Sequence, residues 1–197
     1  MKVCGITMRA ELIPGRNETR DSLDRRLSLW VQEAGLQPLP IPNIWLLRPD
    51  RLTAWLEAAE VSIVILSGGG DVGDDPERDF TERGLLEYAR VNRLPLLGIC
   101  RGMQVMGVNA GGKLIRVAGH VGGRHQISGE MAGEVNSFHE KALANCPPDY
   151  RETGRSEDGV LEAIRHRILP WEGWMWHPER EDPFAGVWFN KVRNLAA

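Results

Sequence analysis

The sequence predicts an α/β fold, a single doubly wound and mostly parallel sheet flanked by helices, and three observations carry that reading. Val61–Leu66 (VSIVIL) and residues 94–99 (LPLLGI) are dense apolar runs of strand length, as expected of strands buried on both faces. Segments with helical spacing lie between and after them. Strand and helix signals alternate through the first 110 residues, the order in which a parallel sheet becomes covered on both sides.

Taken in order, residues 3–6 read as a first strand. Residues 20–34 place Leu23, Leu27, Trp30, Val31 and Ala34 on one helical face, and Gly35 follows as a stop. Residues 36–41 form a second apolar run whose prolines suit a sheet edge and not its centre. Residues 51–59 read as a helix. The turn SGGGD at residues 67–71 follows the VSIVIL strand. Pro76–Val91 is helical, residues 94–99 form the next strand, and residues 101–110 form a helix that stops at Gly111-Gly112. The second half is less regular. Residues 113–127 read as a loop or short hairpin, and residues 154–168 as two short strands joined at Asp158-Gly159. Residues 171–176 lead into a last strand, and residues 184–195 suit a final helix. Trp45, Trp55 and Trp188 are candidates for core or for a packed interface. One domain spans residues 1–197 in this reading, with no internal repeat or linker.

Composition narrows the function. Of 197 residues, 42% are hydrophobic and 26% charged, with a net charge of −3, which is ordinary for a globular chain. No basic stripe marks a nucleic-acid partner. No apolar run approaches membrane-spanning length, and the first residues lack a signal peptide's pattern. Cys4, Cys100 and Cys146 are an odd set without metal-type spacing, so a reduced, cytoplasmic protein without disulfides is expected. His120, His125 and His166 lie in polar or glycine-rich stretches and read as surface or loop residues. Neither a metal nor an organic cofactor is expected.

The chemistry gathers at residues 96–104, LLGICRGMQ. A buried strand runs into a Gly-Ile-Cys-Arg-Gly turn and then a helix, the arrangement of a nucleophile elbow with Cys100 at its tip. A turn this sharp needs small neighbours, here Gly98 and Gly102. The helix N-terminus would face the sulfur and favour thiolate over thiol. A thiolate nucleophile needs a base and a group that orients the base. Residues 174–180, WMWHPER, offer both. His177 stands at the end of an aromatic strand that Pro178 breaks, and Glu179 follows two residues on, within reach of the same side of an extended segment.

Together these segments resemble the class I (triad) glutamine amidotransferases, and within them the γ-glutamyl hydrolase branch (peptidase C26-like). The resemblance rests on Gly98 to Gln104, Trp176 to Glu179, Gly68 to Val72, the Arg78-Asp79-x-x-Glu82 set, Gly111 to Leu114, Val135 to His139 and Asp158-Gly159, in the family's order along nearly the whole chain. It implies Cys100, His177 and Glu179 as the catalytic set. It further implies an oxyanion hole from backbone N–H groups at Arg101 and at Gly69 or Gly70, and a grip on the glutamyl end by Gln104, Asn136, Ser137 and His139. The implied reaction is hydrolysis of a small-molecule γ-glutamyl conjugate through a glutamyl thioester.

The chain departs from the family at Glu140 and Lys141, where a second His and a Gln are usual. Its compact length and residues 18–24 look most like a subgroup that acts on γ-glutamyl-CDP-amidate in capsule phosphoramidate synthesis; other γ-glutamyl amines remain candidates. Arg9, Arg20, Arg78 and Arg124 are candidate phosphate contacts. The alternative is a glutaminase subunit that delivers ammonia to a separate synthase, with that synthase or a second copy of the chain as partner.

Overall fold

The computed structural model describes residues 1–196. Along the chain run β1 (Val3–Thr7), β2 (Arg9–Ile13), β3 (Glu18–Ser22), α1 (Arg25–Glu33), β4 (Gln37–Ile41), α2 (Leu52–Ala58), β5 (Val61–Leu66), α3 (Pro76–Val91), β6 (Leu96–Ile99), α4 (Arg101–Asn109), β7 (Leu114–Arg116), β8 (Val121–Ser128), β9 (Gly133–Phe138), β10 (Lys141–Leu143), β11 (Tyr150–Ser156), β12 (Leu161–His166), β13 (Trp171–Trp174) and α5 (Gly186–Leu195). The main sheet has nine strands in the order β4-β1-β5-β6-β13-β12-β11-β8-β9. The first five of these pair in parallel, and the remaining pairings are antiparallel.

The parallel region follows the expected alternation. Ile63 and Ile65 of β5 enter one apolar layer with Leu27, Trp30 and Val31 of α1. Val64 and Leu66 enter the other, with Leu56 of α2, Leu85 of α3 and Met106 of α4. A β-branched run buried on both faces is what a central parallel strand requires. The proline-bearing β4 takes the edge, where a missing N–H costs no ladder bond. Trp45 and Trp188 are buried in the two layers, and Trp55 packs on Trp45 with ring centroids 5.3 Å apart. All three belong to the core.

Two expectations are corrected. The first helix does not begin at residue 20: Glu18–Ser22 pairs with Arg9–Ile13 as a hairpin, and Asp24 caps the helix by accepting from the Arg26 N–H at 2.8 Å. Residues 113–127 form neither a loop nor a hairpin of their own: β7 pairs with β10, and β8 pairs with β9 and β11 in the antiparallel half of the sheet.

The β6–α4 turn is the tightest point of the fold. Cys100 has φ 51° and ψ −105°, a left-handed backbone that a side chain opposes. A Cβ on Gly102 would stand 2.1 Å from the Leu66 carbonyl oxygen, and one on Gly98 would stand 2.6 Å from the Gly102 carbonyl carbon. Neither backbone can retreat without separating β5 from α4. Gly102→Ala should therefore destabilise the protein by about 3 kcal/mol or more. Gly159→Ala, where φ is 88° but nothing crowds the added carbon, should lose only about 1 kcal/mol. Urea denaturation of the two variants tests the contrast; equal losses would show that the Leu66 contact relaxes at no more cost than a strained backbone angle.

Candidate active site

Three strand ends meet at the site, those of β5, β6 and β13, as expected at the carboxyl edge of a parallel sheet. β6 delivers Cys100, whose backbone N–H donates to the Trp174 carbonyl at 2.7 Å. β13 runs beside β6, with Trp174 opposite Ile99, and therefore brings His177 to the sulfur. His177 Nδ1 lies 2.6 Å from Glu179 Oε1. The path between them differs from expectation: Pro178–Arg180 coils into one 3₁₀ turn and is not extended. That turn is clamped from both sides. Asn136 Oδ1 accepts from the His177 N–H at 2.9 Å while Asn136 Nδ2 donates to the His177 carbonyl at 2.8 Å. Arg26 Nε of α1 donates to the Glu179 carbonyl at 2.9 Å.

His177 and Glu179 are both buried. Burial alone disfavours a charged imidazole, but hydrogen bonds to Cys100 and Glu179, together with their negative charges, outweigh it and hold the His177 pKa up at about 9. The arrangement therefore suits an imidazolium beside the Cys100 sulfur at neutral pH. Burial pushes the thiols of Cys4 and Cys146 upward instead, which suits inert packing residues.

The glycine turn after β5 is held by a buried ionic group. Arg78 donates to the carbonyls of Ser67 (2.9 Å), Gly68 (3.2 Å) and Gly69 (2.5 Å), and to Glu82 at 3.0 Å. Arg101 bonds Glu82 and also Asp79, the latter at 2.6 Å. The Arg-Asp-x-x-Glu pattern is thus a brace between α3, α4 and the turn. Gly69 and Gly70 have φ of 86° and 71°, angles that favour glycine. Gly68 must lack a side chain because a Cβ there would stand 2.5 Å from the His177 ring.

A cavity of about 340 Å³ is bordered by Cys100, His177, Gly69, Gly70, Arg101, Gln104 and His139. Asn136 and Ser137 do not border it. Asn136 is spent on His177, and the Ser137 hydroxyl donates to the His120 carbonyl at 2.7 Å. Gln104 Nε2 donates to the Lys141 carbonyl at 2.8 Å. At the mouth, Lys141 Nζ pairs with Asp71 at 2.6 Å, and Glu140 is exposed. Phe138 and Arg180 escaped the sequence reading: Phe138 meets His177 edge-on at 5.8 Å and carries the Arg180 guanidinium 4.5 Å from its ring centre. A second cavity, of about 280 Å³, opens on the other side of His177 and Gly68, between Arg9, Glu11, Ser22 and Asp24.

Of the candidate phosphate arginines, Arg78 is fully engaged inside. Arg20 pairs with Glu18, and Arg124 with Glu134 and Glu181. Arg9 pairs with Glu11 at 3.7 Å and, alone of the four, borders a cavity beside His177. The histidine expectations also change. His120 is buried, and His125 is largely so. His166 packs between Tyr150 and Trp171, its Nδ1 accepting from the N–H groups of Ile168 and Leu169 at 3.0 Å.

The electrostatics of the pair can be tested directly. Nitrogen-detected NMR should show His177 protonated through neutral pH and titrating near 9. In Cys100→Ala the titration should move down, since one of the two groups that oppose burial is gone. A His177 pKa below the ordinary imidazole value of 6.5 in the unaltered protein would show that burial dominates.

The family model for glutamine amidotransferase class-I matches residues 44–186. Over 144 residues the chain is 29% identical to γ-glutamyl-CDP-amidate hydrolase of Campylobacter jejuni, covering 68% of this chain and 72% of that protein. Over 143 residues it is 34% identical to a glutamine-hydrolysing GMP synthase subunit of Methanothrix thermoacetophila, covering 66% and 77%. Over 219 aligned positions it is 27% identical to γ-glutamyl-γ-aminobutyrate hydrolase of Escherichia coli O157:H7, covering 90% and 85%. Among solved structures, a glutamine amidotransferase from Thermotoga maritima superposes with a TM-score of 0.67 at 16% identity, over 98% of this chain and 84% of that one, a likeness of fold. With the family match spanning most of the sequence, the chain belongs to the class I glutamine amidotransferases.

Proposed function

We propose that this protein is a cysteine hydrolase that cleaves the amide bond of a γ-glutamyl conjugate, with Cys100, His177 and Glu179 as its catalytic residues. The Cys100 thiolate attacks the δ-carbonyl carbon. The resulting oxyanion faces the Arg101 N–H and those of the Gly69-Gly70 turn, donors that do not reorganise during the reaction. As the C–N bond breaks, His177 gives its proton to the leaving amine. His177 then takes a proton from water, the hydroxide attacks the thioester, and glutamate departs with the thiolate restored. Glu179 keeps the imidazole in place and balances its charge.

The observation that carries the choice of substrate is the second cavity. The glutamyl end fits between Gln104, His139 and Lys141, and the space between Arg9 and Asp24 lies beyond His177, where the amine would leave. Glutamine's leaving group is ammonia and needs no such room. An anionic leaving group there would meet Arg9 in exchange for its partner Glu11, a reading in line with a γ-glutamyl nucleotide amidate and with the similarity to the C. jejuni hydrolase. The second reading, a glutaminase subunit working with a synthase, is supported by the 34% identity to a GMP synthase subunit.

Glutamate release from glutamine, γ-glutamyl-γ-aminobutyrate and a γ-glutamyl nucleotide amidate separates the two. The expected result is turnover of a conjugate with glutamine poor, and loss of turnover in Cys100→Ala; release from glutamine alone would favour the synthase partner. Arg9→Ala should raise KM for the nucleotide amidate about 10-fold or more, the size of one charge-assisted hydrogen bond, with kcat and the uncharged amides little changed. Equal effects on charged and uncharged substrates would remove Arg9 from leaving-group recognition.

A further inference from the structure

Behind the wall that His139 contributes to the Cys100 cavity lies a polar cluster of which the proposed reaction uses only His139. It comprises His120 before β8, His125 on β8, His139 after β9 and Glu162 on β12. Glu162 is fully buried, and His120 and His139 are nearly so. Three imidazole nitrogens converge on one carboxylate oxygen: His120 Nδ1 at 3.3 Å, His125 Nε2 at 3.5 Å and His139 Nε2 at 3.4 Å from Glu162 Oε1. None of these atoms has a hydrogen-bond partner among the described residues, and neither does Glu162 Oε2. A buried carboxylate without donors is among the costliest groups a fold can carry, so something positive must sit beside it.

The outer sides of the rings indicate what that is. His120 Nε2 lies 3.0 Å from Asp158 Oδ2, and His139 Nδ1 lies 3.2 Å from the Lys141 carbonyl. A carboxylate and a carbonyl only accept, so each ring places a proton on its outward nitrogen. In the neutral tautomer the inward nitrogens, His120 Nδ1 and His139 Nε2, then present lone pairs to a carboxylate that also presents lone pairs. Such atoms repel one another unless a cation lies between them.

The spacing suits a metal. Ligand atoms set tetrahedrally about 2.0–2.1 Å from a zinc-type ion lie about 3.3–3.4 Å from each other, close to the separation of Glu162 Oε1 from His120 Nδ1 and His125 Nε2. A charge-assisted N–H···O bond would be closer, at about 2.7–2.9 Å. The ligating atoms of His120, His125 and Glu162 lie within 4.8 Å of one another. Asp158 behind His120 supplies the outer carboxylate that commonly orients a metal-bound imidazole.

We infer that His120, His125 and Glu162 form a site for a divalent transition metal of the zinc type. It would tie β8 and the residue before it to β12 behind the glutamyl cavity. Three protein ligands leave the fourth position to water, with the His139 ring beside the site at 3.4 Å from Glu162 Oε1.

The full chain carrying Cys100→Ala, so that no active-site thiolate competes, is dialysed against a chelator and titrated with Co²⁺ and then Zn²⁺. The expected result is one Co²⁺ per chain with the intense visible absorption of tetrahedral coordination, displaced by one equivalent of Zn²⁺, which also raises the unfolding midpoint. Asp158→Asn, a change at an exposed side chain, should weaken the affinity roughly 10–100-fold. His125→Ala should weaken it further, and His166→Ala should leave it unchanged. No uptake by the folded Cys100→Ala protein, or uptake that survives both Asp158→Asn and His125→Ala unaltered, would overturn the assignment; the absence of uptake would mean that protons on the imidazoles balance Glu162.

Discussion

The structure turns on the close fit of α4 against β5. Gly102 lies so near the Leu66 carbonyl that no other residue fits, and that contact fixes where β6 must end and α4 begin. Cys100 is the one residue left to make the turn, and it does so at a backbone angle that opposes its side chain. The strain is held by what surrounds it. The Cys100 N–H is tied to β13, and Arg101 is locked onto Glu82 and Asp79. Arg78, bound to the same Glu82, fixes the three carbonyls of the glycine turn. With those carbonyls engaged on the arginine side, the turn is rigid where the candidate oxyanion donors lie. The proposed nucleophile and its candidate anion site are thus set by one buried cluster of charges, and removing any one member would leave another uncompensated.

The proposed base, His177, arrives by a separate route. β13 is the last strand in the chain but pairs with β6 at the centre of the sheet, so residues far apart in sequence become neighbours. The antiparallel half of the sheet supports that delivery. Asn136 within β9 grips the His177 peptide on both sides, and α1 holds the following turn through Arg26. The orientation of the imidazole therefore depends on strands outside the parallel core.

The division between what the sequence reveals and what it conceals follows the same line. β5, β6 and α3 were legible because each carries its own period: Val61–Leu66 is apolar almost without interruption, and Asp75-Pro76 caps a helix that runs to Val91. The Cys100 turn was legible because its glycines sit in a fixed local frame. The β2–β3 hairpin was not, since its strands are short and largely exposed, and Leu23 and Leu27 extend a helical pattern backward through it. β8 was hidden by Gly122 and Gly123 and by its exposed face. The His120, His125, His139 and Glu162 cluster was invisible for a different reason: its members sit on separate segments, and the pairing of β8 with β9 and β11, and of β11 with β12, brings them together. Asn136 and Ser137 carried a pattern that pointed to substrate, yet their side chains serve the site from behind it.

The central claim is that the amide bond is broken by transfer of the glutamyl group to Cys100. Mixing the protein with excess γ-glutamyl anilide, quenching in acid during turnover and mapping peptides by mass spectrometry tests it most directly. The mechanism predicts a glutamyl adduct confined to the peptide that holds Cys100, sensitive to hydroxylamine as a thioester is. Turnover with no adduct on that peptide, or with the glutamyl group on another residue, would contradict it.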